Sequence, residues 1–224
     1  MLRRAIPRLV TLALIGGAAW IAWDRGFTGV ITPIVDPTSE AAFDAWVDES
    51  PQRRAEFAGL QAFLINRDVA DIVPAWQLTR IDLHYAQRCD LPVFRIPPQD
   101  LWENVVPALR LVRDEVVPAV GPVQVLSSFR TSELNRCAGG ASGSNHLRFE
   151  ALDLATAPRR NGLRLYEKLC EMHDIAGPGS AMGLGAYYDF ADPSFGGGRF
   201  HIDASGYRDW GRGYTSARSP CRRF

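Results

Sequence analysis

Ser144-Asn145-His146-Leu147-Arg148-Phe149-Glu150-Ala151-Leu152-Asp153-Leu154-Ala155 sets the architecture of this chain. In its second half Leu152 and Leu154 point one way and Asp153 the other, between small neighbours, which is the period of a strand with one greasy face. Arg199-Phe200-His201-Ile202-Asp203 repeats the pattern. There Phe200 and Ile202 turn to a core, while Arg199, His201 and Asp203 share the opposite face. Two such strands bury apolar residues on one side and present imidazole and carboxylate on the other, as a metal site built on a sheet requires. His146, Asp153 and His201 are two imidazoles and a carboxylate, a three-ligand zinc set, and a fourth position left to water makes such a set catalytic rather than structural.

Outward from these segments, Val123 to Phe129 reads as a strand, Ser132 to Cys137 as a short helix stopped by Gly139-Gly140, and Ala151 to Ala155 as a strand. Asn161 to Ile175 is a periodic helix through Leu165, Leu169 and Met172. Gly183 to Tyr188 and Arg199 to Ala204 read as further strands, joined by the loop Asp189 to Gly198. Upstream, Thr38 or Ser39 caps a helix through Phe43 and Val47, and a second helix follows Pro51 with Phe57, Leu60, Phe63 and Leu64 on one face. Pro98 opens a third, burying Leu101, Val105, Leu109 and Val112 and ending near Pro118. This order predicts an α+β fold, a small antiparallel-rich sheet with helices packed on it. The expected division is a leader over residues 1–25, a linker over 26–39, a helical part over 40–118 that packs on the core, and the core itself over 119–224.

The leader carries Arg3, Arg4 and Arg8 ahead of an apolar run from Leu9 to Trp23, broken only by Thr11 and Gly16-Gly17. Positive charge before an apolar run marks an export signal with its N-terminus in the cytoplasm. The run is roughly 15 residues, short for a span and long for a signal core. Trp20 and Trp23 and the lack of a small-x-small cleavage site favour an uncleaved signal anchor over a cleaved peptide. The expected location is thus the inner membrane, single-pass, with the rest of the chain in the periplasm, or release to the periplasm after cleavage. Cys89, Cys137, Cys170 and Cys221 fit an oxidising compartment, with up to two disulfides in any of three connectivities, free thiols being the alternative. A formal net charge of zero gives nothing to steer the protein toward nucleic acid. Nothing in the sequence fixes an oligomeric state.

Ser127-Ser128-Phe129-Arg130, Asn135, Gly139-Gly140-Ala141, Ser144 and His146 through Asp153, then Gly183-Leu184-Gly185, Phe200-His201-Ile202-Asp203, Arg208 and Trp210, resemble as an ordered set the signature of zinc D-Ala-D-Ala carboxypeptidases and related (VanY-type) peptidoglycan peptidases. The resemblance spans about Gly121 to Gly211. It implies the Hedgehog/DD-peptidase fold, one zinc ion and a cell-wall peptide substrate. His146, Asp153 and His201 match the family's zinc ligands. Arg130 matches the arginine that contacts substrate, for which a planar guanidinium is suited. Ser128 and Ser144 are the serines beside them, as substrate contacts, as donors that orient the ligands or as turn residues.

The sequence departs from that family twice. Phe149 and Glu150 stand where it has Gly and a small or basic residue, so Phe149 either narrows the cleft or fills the core. The family's general base precedes the last histidine, where this chain has Gly196-Gly197-Gly198-Arg199. Asp203 is the nearest replacement, or else it orients His201; Asp189, Asp192 and Glu150 are further candidates. His173 and His84 read as structural. The expected function is metal-assisted hydrolysis of peptidoglycan stem peptides, by carboxypeptidase or DD-endopeptidase action. Two alternatives are a catalytically weak zinc-containing cell-wall binding module and an envelope scaffold without metal.

Overall fold

A computed structural model describes residues 35–224. The apolar run over 9–23, and with it the anchor, lies outside them. No helix among the described residues is long and apolar enough to cross a membrane.

Helix α1 (Glu40–Asp48) is capped by Ser39, whose hydroxyl accepts from the Ala42 N–H, and α2 (Pro51–Asn66) by Ser50 in the same way with Arg53. A 3-10 turn (Ala75–Thr79) and a short helix α3 (Leu83–Arg88) follow; the sequence reading had left both unassigned. The helix expected after Pro98 is interrupted: α4 (Trp102–Leu111) passes into a π turn (Val112–Val116) and then α5 (Val117–Val120). The widened turn ends two residues before Pro118, whose ring lacks an N–H and would press on the carbonyl four residues back in a regular helix. Strand β1 (Val123–Ser127), helix α6 (Ser132–Cys137), strand β2 (Ala151–Thr156) and helix α7 (Leu163–Ala176) come next. Strands β3 (Gly183–Ala186), β4 (Phe200–Asp203) and β5 (Arg208–Trp210) complete the sheet.

The sheet order is β1-β2-β4-β3-β5. Its first three pairings are antiparallel, and β5 runs parallel to β3. The sequence reading missed β5, an edge strand of Arg208-Asp209-Trp210 without alternating apolar residues. On one face Leu152, Leu154, Leu184, Phe200 and Ile202 merge with Leu60 and Leu64 of α2, Val105 and Leu109 of α4, and Leu165 and Leu169 of α7 into one core. Each large side chain fully buried there contributes about 1.5–3 kcal/mol. Helices from the 40–118 segment therefore share their core with the sheet. The other sheet face carries Asp153, His201 and Asp203 among small residues and Trp210.

All four cysteines are paired, Cys89 with Cys137 and Cys170 with Cys221. The first bridge fastens the end of α3 to the end of α6, and the second fastens the C-terminal turns to α7.

Candidate metal centre

Strand register assembles the site in rows. Asp153 on β2 lies opposite His201 on β4, which lies opposite Gly185 on β3, which in turn neighbours Trp210 on β5. The next row is Ala151, Asp203, Gly183 and Arg208. The glycines are what let the rows close. A Cβ on Gly185 would sit 2.8 Å from the His201 Cβ and 2.9 Å from the Trp210 ring, and one on Gly183 would sit 2.7 Å from both Asp203 carboxylate oxygens. Gly185→Ala is expected to push His201 out of line, costing about 1–3 kcal/mol of stability and lowering zinc affinity about tenfold or more. Competition against a chromophoric chelator, beside a thermal melt, reads both; wild-type zinc affinity would show that the row can yield.

His146 comes from a 3-10 turn (Asn145–Arg148) just before β2. Its Nδ1 donates to the Ser128 carbonyl at 2.5 Å, which leaves the Nε2 lone pair facing His201 Nδ1 at 3.2 Å and Asp153 Oδ1 at 3.3 Å. His201 Nε2 donates to Asp203 Oδ2 at 3.0 Å, so its Nδ1 lone pair faces Asp153 Oδ1 at 3.2 Å. All three side chains are buried. Two lone pairs and a carboxylate oxygen converging in a dry pocket repel one another unless a cation lies between them. Their 3.2–3.3 Å edges are close to the roughly 3.3–3.5 Å that a tetrahedral ion with N and O bonds near 2.0–2.1 Å requires. The group can bind a metal ion, and the donor set fits zinc.

The surrounding charges agree. Burial, reinforced by the Arg130 guanidinium, pulls the His146 pKa down to about 4, so the ring is neutral and free to ligate. Burial opposes ionisation of Asp153, but the Arg130 guanidinium on its Oδ2 holds its carboxyl well below the usual range. The His201 pKa is raised: burial opposes the charge, and Asp153 and Asp203, which would both accept from the protonated ring, overcome it. That position favours positive charge, the role a divalent cation fills.

Arg130, beyond the irregularity that ends β1, donates from Nη2 to Asp153 Oδ2. Its backbone N–H is fixed by the His146 carbonyl at 2.9 Å. Ser128 is fully buried, with its hydroxyl committed to the Leu78 carbonyl. It therefore offers no hydroxyl to a substrate, and it orients His146 through its main chain instead. Ser144 lines the same cleft as the three candidate ligands.

Asp203 is fully buried and occupied on all sides. Arg208 donates to both its oxygens, at 3.0 and 2.7 Å, the Ser205 N–H donates at 2.9 Å, and His201 Nε2 takes the remaining lone pair. Burial opposes its charge, but His201 and Arg208 hold its pKa far below the carboxylate range. This is the setting of a residue that orients an imidazole rather than of a proton acceptor, which needs a pKa nearer the working pH. Of the other candidate bases, Asp189 pairs with Arg212, Asp192 holds Ser194, and Glu150 pairs with Arg148. Phe149 fills the core with φ +58°. This is left-handed backbone, which costs about 1–2 kcal/mol that its burial offsets. His173 is buried against Tyr207 with Nε2 on the Met182 carbonyl, and His84 is exposed beside Tyr85.

The ligands lie in a cleft of about 840 Å³ whose walls include Tyr85, Arg159, Tyr187, Arg199, Arg212 and Tyr214. Sequence reasoning assigned chemistry to none of these six. The signal available for Arg199 was its place in the alternation two residues before His201, just ahead of β4; Tyr85 and Tyr214 reach the cleft only through the fold.

Residues 94–187 match the family model described as Peptidase M15. The matched stretch contains Arg130, His146 and Asp153 and ends before His201. No curated protein and no solved structure matches the chain. The family match, with the buried His146-Asp153-His201 group, supports a zinc-dependent metallopeptidase of the M15 kind, without distinguishing its subtypes.

Proposed function

We propose that the protein is a zinc-dependent peptidase that hydrolyses the stem peptides of peptidoglycan, of the D-Ala-D-Ala carboxypeptidase or DD-endopeptidase type. The observation that carries this reading is the buried trio of ligand atoms on the floor of an arginine-lined cleft. His146, Asp153 and His201 would hold the ion. When bound, zinc supplies a Lewis acid for the scissile carbonyl and a water acidified to a pKa of about 7. Asp203 keeps the proton on His201 Nε2, and the Ser128 carbonyl keeps the proton on His146 Nδ1, so both rings stay in their ligating tautomers. Arg130 balances the ligand carboxylate and lines the peptide's path. Tyr187 also lines the cleft, and burial with the nearby Asp153 raises its pKa, so its hydroxyl stays protonated. An N-terminal anchor would hold the enzyme at the inner membrane facing the periplasm, a placement supported by the arginine-led apolar run and two disulfides.

Mass spectrometry of defined pentapeptide and cross-linked muropeptides after incubation with the full-length chain tests the reading. Zinc-loaded protein is expected to remove one alanine or split the cross-link, a chelator to stop it, and zinc to restore it. Unchanged substrates beside one bound zinc per chain would sink the peptidase reading. They would favour instead a zinc-containing cell-wall binding module, a reading supported by Gly196-Gly197-Gly198-Arg199 ahead of His201, where no carboxylate or histidine stands.

A further inference from the structure

Phe149 and Tyr214 both hold left-handed backbone, at φ +58° and +60°, a conformation disfavoured for bulky side chains. Phe149 fills the core, whereas Tyr214 is 53% exposed. Burial therefore offsets the cost at the first and not at the second, and backbone held in this way concentrates where a ligand makes use of it. The turn that carries Tyr214 (Arg212–Tyr214) is nonetheless well fixed. Its N–H donates to the Gly211 carbonyl at 3.1 Å, and the Gly211 N–H to the Thr215 carbonyl at 3.2 Å. Gly211 is pressed against the Arg218 carbonyl, which a Cβ would meet at 2.0 Å. Arg212 donates to Asp189 at 2.9 Å and lies over the Phe195 ring. The Cys170–Cys221 bridge then fastens the turns that follow to α7.

Tyr85 lines the same cleft from a separate element. It is half-buried on α3, with the Arg130 guanidinium 5.7 Å from its ring. Asp82 caps that helix, and the Cys89–Cys137 bridge ties its end to α6. Burial raises the Tyr85 pKa and Tyr214 raises it further, as befits two phenols that face one space. Each ring is thus braced by its own disulfide, and each offers a flat apolar face with little conformational freedom to lose on binding. The two differ from the ligand trio in depth. His146, Asp153, His201 and Arg130 are buried, whereas Tyr214 stands at the mouth. A substrate whose reacting bond reaches the trio therefore leaves its remoter end against the tyrosines.

The charges nearby narrow what that end can be. Arg159, Arg199 and Arg212 line the cleft as well, so a cationic side chain is repelled, and acidic groups pair with the arginines rather than with the rings. An alanine methyl is too small to cover an aromatic face. A sugar ring fits: it is neutral once its acid is joined to the peptide as an amide, wet at its hydroxyl edges and apolar on its C–H faces. In a pentapeptide that loses its last residue, four residues separate the sugar from the broken bond. Extended, they span at most about 13–14 Å, a reach that leads out of a cleft rather than across its floor. We propose that Tyr85 and Tyr214 form an aromatic platform for the sugar of a glycan-linked stem peptide, so that the enzyme selects wall-attached peptides over free ones. The inference rests on the peptidase reading above and deepens it.

The test compares a disaccharide-pentapeptide with the same pentapeptide lacking the sugar, on the full-length chain. Mass spectrometry of the zinc-loaded protein gives kcat and KM. Calorimetry on the chelator-treated protein gives Kd without turnover, and thermal melts identify folded variants. Wild type is expected to favour the sugar-bearing ligand about 3–10-fold in KM and Kd, the range of an aromatic contact, with similar kcat for the two. Tyr214→Asn removes the ring and accepts left-handed backbone, and it should bring the ratio between the two ligands close to one. Tyr214→Phe should keep the preference, and Tyr85→Leu should reduce it. Equal handling of both ligands by wild type overturns the proposal, and so does a Tyr214→Asn variant that weakens both alike and keeps their ratio. If neither peptide is cut, the peptidase reading fails separately; a Tyr214-dependent preference in Kd for the sugar-bearing ligand then still upholds the platform, and its absence overturns it. If Tyr214→Asn does not fold, the ratio in Tyr85→Leu decides.

Discussion

His201→Ala is expected to give a folded protein that no longer retains zinc and hydrolyses peptidoglycan peptides at least about 10³-fold more slowly, because the acidified water is lost with the metal. Two ligands remain in this variant, His146 Nε2 and Asp153 Oδ1, 3.3 Å apart on one side of the site. They cannot enclose an ion that is almost always held by three or four protein donors. The variant also strips a hydrogen-bond partner from one buried carboxylate, Asp203. Its remaining partners, Arg208 and the Ser205 N–H, limit the cost to about 1–3 kcal/mol, so the fold survives to be assayed. Metal analysis after gel filtration, a thermal melt and the muropeptide assay together read the three effects. Arg148→Ala serves as control, since among the described residues the Arg148 side chain pairs only with Asn145 and Glu150, at the surface. Full zinc occupancy in His201→Ala with unimpaired turnover would remove His201 from the metal centre.

Alternation in two short segments made the ligand rows readable. Leu152 and Leu154 against Asp153, and Phe200 and Ile202 against His201 and Asp203, could have only one face in the core, and β2 and β4 pair in the register that follows. Strand ends were less legible, because they depend on partners. β1 stops at Ser127 rather than Phe129, where pairing with Asp153 breaks register, and β3 stops at Ala186 rather than Tyr188. Edge strand β5 has no apolar period to reveal it; Arg208 and Trp210 belong to it because they lie over Gly183 and Gly185. The cleft walls were hidden for another reason. Tyr85 and Tyr214 lie 68 and 13 residues from Asp153 and His201 along the chain, and only tertiary packing and the two disulfides bring them to the site. The cysteine count allowed three connectivities, and geometry selects one. Asp203 was legible as a resident of the His201 face, but its occupation by Arg208 and Ser205 depends on β5 and the turn before it.

Asp203→Asn separates the two roles a carboxylate in this place can play, and a large effect is expected on metal retention. In the observed network Asp203 accepts from His201 Nε2, from both terminal nitrogens of Arg208 and from the Ser205 N–H. An amide keeps one acceptor oxygen but turns an NH₂ toward a donor, so either His201 or Arg208 loses its partner. The imidazole then rotates or changes tautomer, and zinc affinity is expected to fall about 10–100-fold. At saturating zinc the ligand is pulled back into place, and kcat should return to within about tenfold of wild type, since the reacting groups themselves are untouched. A general base predicts the reverse: unchanged zinc affinity and a kcat lower by about 10²–10⁴ at any zinc concentration. Measuring kcat across a zinc titration distinguishes the two in one experiment. The orienting role is expected because every lone pair of Asp203 that the fold exposes to a partner is already taken, and because a carboxyl held this far below its ordinary pKa is a weak acceptor for the proton of a metal-bound water. Arg208→Gln provides the internal check. It releases Asp203 from its bidentate partner without touching His201, so an orienting network predicts a smaller loss of zinc affinity in the same direction.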